Sequence, residues 1–149
     1  MIRAALLAGL AAAPAMADLA VLPCDPELVS ARAIPEPWPD FSAAYAQGAV
    51  RLAVLDRIEP AAAAVYLLVL SPPHDEIGER QCRVVAPGEH FGFMDLDFAA
   101  RRAEYDPAAG LRVTMPAARY EPEQPDGVWS ELALTINQSS GEITARLTR

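Results

Sequence analysis

Leu111-Arg112-Val113-Thr114-Met115, Glu131-Leu132-Ala133-Leu134-Thr135-Ile136 and Ile143-Thr144-Ala145-Arg146-Leu147-Thr148 are three short runs in which apolar residues recur at every second position. Period two places those residues on one face of an extended chain, and a helix cannot align them. Two of the intervening segments match each other. Asp106-Pro107-Ala108-Ala109-Gly110 and Asn137-Gln138-Ser139-Ser140-Gly141 each open with a side chain able to bond the backbone ahead of it, and each closes with a glycine suited to positive φ. Such turns join antiparallel strands. The spacing therefore predicts two hairpins, roughly 96–115 and 128–148.

Working toward the N-terminus, Val50, Leu52 and Val54 alternate with Arg51 and Ala53, and 64–70 is a continuous apolar run of the kind buried on both faces. Arg80 to Ala86 places Cys82 and Val84 on one face. In 91–100, alternation puts Gly92, Met94, Leu96, Phe98 and Ala100 on one face and Phe91, Phe93, Asp95 and Asp97 on the other. The fold class expected is mainly β: an antiparallel meander of about seven strands forming a small barrel or sandwich. An α+β fold is the alternative, should Phe98 to Tyr105 coil into a helix, as its alanines and arginines favour. Residues 18–48 differ. Pro23, Pro26, Pro35, Pro37 and Pro39 break long helices and ladders there, so the segment reads as a proline-rich arm. Asp25-Pro26-Glu27 supplies one short helix start, Trp38 and Phe41 are candidate anchors on the core, and a second short helix from Asp40 would stop at Gly48.

Residues 1–17 carry one cation (Arg3), a short apolar run and the ending Ala15-Met16-Ala17, the pattern of a secretory signal peptide cut between Ala17 and Asp18. The run is too short to span a bilayer, which needs about 20 residues, so no membrane insertion of the mature chain is expected. The domains expected are a signal peptide (1–17), an arm (18–48) and a β domain (49–149). Processing leaves 132 of the 149 residues, enough for an independent core. An oxidising destination, periplasmic or secreted, gives the two cysteines one intramolecular pairing, Cys24 with Cys82.

The chain has 20 acidic residues against 12 basic ones, all arginine, for a net charge of -8. That balance excludes nucleic acid as the main partner, because phosphate binding demands clustered cations. Nucleotide, serine-hydrolase and metalloprotease motifs are absent from the sequence, and no cofactor is implied. Asp95 and Asp97, about 7 Å apart on one strand face, have the spacing of an inverting glycosidase pair. A small hydrolase using them with His90 is one alternative. His74, Asp75, Glu76 and His90 are candidate ligands for a divalent metal, a second alternative. The leading expectation is a non-enzymatic module that binds a partner protein or small ligand through Phe91, Phe93, Asp95 and Asp97, with Tyr120 presented by the acidic, proline-limited loop 119–127.

Overall fold

The alternation of residues 111–148 is realised as three adjacent strands of a two-sheet sandwich, two of them its longest. The computed structural model describes residues 16–148. Among them lie eleven strands: β1 (Met16–Asp18), β2 (Ala20–Pro23), β3 (Ser42–Tyr45), β4 (Val50–Asp56), β5 (Val65–His74), β6 (Arg80–Ala86), β7 (Asp95–Leu96), β8 (Arg102–Asp106), β9 (Gly110–Glu121), β10 (Gln124–Ile136) and β11 (Ile143–Thr148). One sheet has the order β1-β11-β10-β9-β7, with β8 pairing the other end of β9 beside β7, and the second has the order β2-β6-β5-β4-β3. Every strand pair is antiparallel. The inward rows of both sheets merge into one core, Val113, Met115, Leu132, Leu134 and Ile136 facing Leu52, Val54, Leu67, Val69 and Val85. The sheets pack face to face as a sandwich and do not close into a barrel.

The two hairpin turns form as their residues dictate. Asp106 Oδ1 accepts the backbone N–H groups of Ala108 (2.7 Å) and Ala109 (2.8 Å), and Asn137 Oδ1 accepts those of Ser139 (3.0 Å) and Ser140 (3.1 Å). Gly110 and Gly141 close the two turns at φ of 102° and 78°. Bonding to two N–H groups favours the ionised carboxylate, so Asp106 titrates below the ordinary aspartate value, the bond from Ala109 contributing most.

The helical alternative for 98–105 does not form. Phe98 to Arg101 make a turn, with the Arg101 N–H bonded to the Phe98 carbonyl, and the chain then enters β8. Helix propensity yields because β8 pairs with β9 over five residues. No α-helix occurs among the described residues, and no helix among them is long and apolar enough to cross a membrane.

The arm enters the architecture more deeply than its prolines suggest. Its ends are β2 and β3, opposite edges of the second sheet, where a missing N–H can face outward. Ser42–Tyr45 is strand, not the helix expected from Asp40 to Gly48; a three-residue 3₁₀ turn forms at Trp38–Asp40, and Ala46–Gly48 is a tight turn whose residues all have positive φ (51°, 57° and 89°). Between β2 and β3 the arm runs as a strap across the outer face of the sheet. The Cys24–Cys82 disulfide ties it to β6, the Arg57 side chain donates to the Glu27 carbonyl at 2.7 Å, and Asp25 caps the single turn that follows it. Ala33 of the strap is buried, as are Ala53, Leu55 and Val84 of the strands. Phe41 packs against the core, whereas Trp38 stays half exposed. A disulfide-fastened fold of this kind fits an extracellular or periplasmic protein. The expected leader lies largely outside the described residues. Met16 and Ala17, ahead of the expected cut, pair with Thr148 and Leu147, so processing there leaves only Asp18 of β1, with the Leu19 N–H still bonded to the Ala145 carbonyl at 3.0 Å.

The chain returns from the second sheet to the first through residues 92–98, which bond to both. Gly92 N–H donates to the Ala63 carbonyl (2.8 Å), and Phe93 and Val65 exchange both backbone bonds (2.6 and 3.0 Å). Met94 and Asp97 then donate to the Ala118 and Pro116 carbonyls of β9 (2.8 and 3.0 Å). This crossing resets the alternation. Phe93 is completely buried in the core, as are Leu96 and Phe98, while Phe91, Asp95 and Asp97 are exposed. The four-residue stripe expected on one face is therefore split, because the segment belongs to two sheets in turn and each presents its own inward side.

Candidate binding cleft

Two residues singled out from the sequence converge although 29 positions separate them. Phe91 follows Pro87-Gly88 in the loop after β6, and Tyr120 lies at the end of β9, outward on the strand's alternation. Each is half exposed, 51% and 50%. With Pro87, Gly92 and Ala63 they line a cleft of about 360 Å³, completed by Arg119 and Glu121. The volume falls within the range of small-ligand sites, and the composition, apolar walls with few polar groups, is what such sites share. The 119–127 segment is not a free connector. Glu121 pairs with Gln124 across Pro122-Glu123, so Tyr120 rides on a hairpin whose register shifts between Gln124 and Val128.

Arg119 is the cation of the cleft, beside the carboxylate of Glu121. Its Nε is buried without a hydrogen-bond partner, and its Nη2 lies 3.8 Å from Glu121 Oε1, an ion pair longer than a hydrogen bond. Nothing in composition pointed to this residue, yet a signal existed. Extending the β9 alternation past Met115 puts Ala117 and Arg119 on the inward face, and an inward arginine needs an opening or a partner.

The other groups expected from sequence are placed elsewhere. Asp95 and Asp97 line a separate shallow groove with Asp40, Arg101 and Trp129. Asp95 faces Ala118 on β9, which faces Trp129 on β10. Both carboxylates serve local backbone, Asp95 Oδ1 accepting the Leu96 N–H (2.8 Å) and Asp97 Oδ1 the Ala100 N–H (3.1 Å). Arg101, in the same groove, lies 4.3 Å from the Phe98 ring centroid and donates to the Tyr45 hydroxyl and the Phe98 carbonyl. His90 does not line that groove, so the hydrolase constellation of Asp95, Asp97 and His90 is not assembled. The metal candidates are apart as well. His74 ends β5, whereas His90 lies three residues from Phe93, which pairs with Val65 at the strand's beginning; a ten-residue strand spans about 30 Å. Asp75 Oδ1 accepts the Ile77 and Glu79 N–H groups and so shapes its own loop. Among the described residues no three His, Cys, Asp or Glu side chains are grouped to hold a metal ion.

Comparison of the chain with protein-family models, with curated proteins and with solved structures finds no match.

Proposed function

We propose that this protein is an exported, non-enzymatic binding module whose ligand seats between Phe91 and Tyr120. The observation that carries the reading is the convergence of two half-exposed aromatic rings, one from the loop after β6 and one from β9, on one small, mostly apolar cleft with a single cation at its wall. Large aromatic side chains left half in water bury considerable apolar area when covered, which is how compact sites gain affinity. The disulfide agrees with an oxidising compartment, and the leader-like residues 1–17, cut between Ala17 and Asp18, supply the route.

The test is an NMR titration of the ¹⁵N-labelled protein with a small fragment set of aromatic acids, amides, amines and hydrocarbons. Chemical-shift changes are expected to cluster at residues 63, 87–92 and 119–121, and to vanish in the double variant Phe91→Ser, Tyr120→Ser while the rest of the spectrum is retained. Shifts centred on another surface, or no responding fragment at millimolar concentration, would reject the cleft.

A further inference from the structure

We propose that β8 is a docking edge at which two copies of this chain pair antiparallel about a two-fold axis at Ala103, joining their first sheets into one. The proposal goes beyond the cleft of Phe91 and Tyr120 and does not depend on it. It starts from the sheet edges. A strand at an edge leaves half of its backbone N–H and C=O groups unpaired, a template for another extended chain. Most edges of this sandwich are short or blocked. β7 has two residues and β3 four, β2 has four that end at Pro23 beside the disulfide, and β1 keeps only Asp18 after the expected processing. β8 is five residues long, contains no proline, pairs with β9 without a bulge and is exposed along its whole length. Outside that pairing its backbone bonds no other segment among the described residues.

The side chains of β8 select the occupant. Ala103 and Tyr105 lie opposite Val113 and Leu111, both buried, so they are on the inward face, and Arg102, Glu104 and Asp106 are on the outward one. Tyr105 is nevertheless 67% exposed, because the second sheet stops at β3, whose Tyr45 lines one cleft with Ala103 and Tyr105. The inward face is uncovered at this flank, and one more strand beside β8 covers it. Charge on an edge ordinarily keeps other strands away. Here the order of signs admits a second copy in one register alone. An isologous antiparallel pair that continues the sheet has its axis on a single residue. Centred on Arg102, Glu104 or Asp106, the axis sets that charged residue against itself; centred on Tyr105, it sets Glu104 against Asp106 twice. Centred on Ala103, it sets Arg102 of each copy opposite Glu104 of the other, and Tyr105 opposite Arg101. Arg102 has no ion pair among the described residues, and Glu104 has only a loose one, 3.7 Å from Arg112 on β9. The joined row alternates in sign: Arg112, Glu104, then Arg102 of the other copy. The net charge of -8 opposes approach, yet charges farther apart than about 8 Å are screened at physiological ionic strength.

Sedimentation equilibrium of the intact protein at neutral pH and physiological ionic strength, from micromolar to about 1 mM, is the test. The average mass is expected to rise toward that of a dimer, with the ¹⁵N-amide signals of 102–106 shifting over the same range. Arg102→Glu alone and Glu104→Arg alone each place like charges opposite one another twice in the dimer, and each is expected to raise the Kd about tenfold or more. Mixed in equal amounts, the two variants are expected to pair with each other about as well as the wild type pairs with itself, since both opposed pairs are then of unlike sign. Thermal melts in dilute solution check that both variants are folded. A protein that stays monomeric to about 1 mM overturns the proposal and leaves the edge to a strand of different charge order. A dimer indifferent to either substitution, or a mixture that associates no better than its parts, overturns it as well, because association then uses another surface or register.

Discussion

Replacing Cys24 and Cys82 together by serine measures how much of the folding free energy depends on the strap across the second sheet. The bond joins residues 58 apart in sequence. In the chain-entropy treatment a cross-link of that span removes about 14 cal/mol/K from the unfolded chain, or about 4 kcal/mol at 25 °C. A domain of this size holds roughly 5–15 kcal/mol in all, so the bond accounts for a large share of it. The folded state also loses something, because Ala53, Leu55 and Val84 are buried although they alternate with the core-facing residues of β4 and β6, and loosening the strap tied to that sheet is expected to wet them. Urea unfolding at 25 °C reads the sum. With a slope of about 1.5–2 kcal/mol/M for such a chain, the midpoint should fall by about 2–3 M, with some steepening as the unfolded chain expands. Amide exchange should meanwhile quicken first in 24–41 and in the outward side of β6, ahead of the β9–β10 pair. A loss of less than about 1 kcal/mol, or exchange that quickens uniformly, would refute the view that a covalent tether holds the strap in place and restricts the unfolded chain.

Gly92→Ala should unfold or severely weaken the domain, by about 3 kcal/mol or more, because an added methyl meets the Val65 carbonyl oxygen, the Ala63 carbonyl oxygen at 2.8 Å and the Tyr66 ring at 2.9 Å, and forces apart the bonds of the crossing segment; a thermal melt decides it. Phe93→Ala should cost about 3–5 kcal/mol as a buried aromatic is removed, whereas Phe91→Ser should change the melting temperature little and abolish fragment binding. Asp106→Asn, which copies the residue at 137, should keep its turn and remove part of the acid sensitivity: a carboxylate titrating below its ordinary value contributes stability above an ordinary pKa near 4 that disappears as pH falls through the depressed one. Melting curves of wild type and variant at pH 2–6 should converge toward the acid end. Expressed with residues 1–17 in a secreting host, the protein should give an intact mass that corresponds to a chain starting at Asp18.

The strands and their staple are largely legible in the residues themselves, whereas the choice between barrel and sandwich is decided only by how the two sheets pack. Alternation over 111–115, 131–136 and 143–147 marks the strands because one face of each is wet, and Asp106 with Gly110, like Asn137 with Gly141, declares a turn by local bonding alone. Two free-standing cysteines admit only one intramolecular bond. What escaped is non-local. Phe93 reads as a partner of Phe91 until its segment is seen to leave β5 for β9, at which point odd and even positions exchange sides. The prolines of 18–48 forbid a central strand but allow an edge, and nothing short of the sheet order shows that Ser42–Tyr45 finds an edge to occupy. Tyr120 could be picked out as an aromatic in a constrained segment, yet its companionship with Phe91 depends on how the β6 loop passes the end of β9. Arg119 was visible only by carrying a strand's period beyond its last obvious apolar residue.

The crossing segment has a mechanical consequence. Since 92–98 is bonded to β5 at one end and β9 at the other, it works as a fastener between the two layers, and any sliding of one layer over the other must first undo it. Phe91 sits immediately before that fastener. A molecule wedged against its ring therefore presses on the rivet of the whole assembly, and occupancy should register as slower shear and breathing across both layers, far beyond the few side chains it touches.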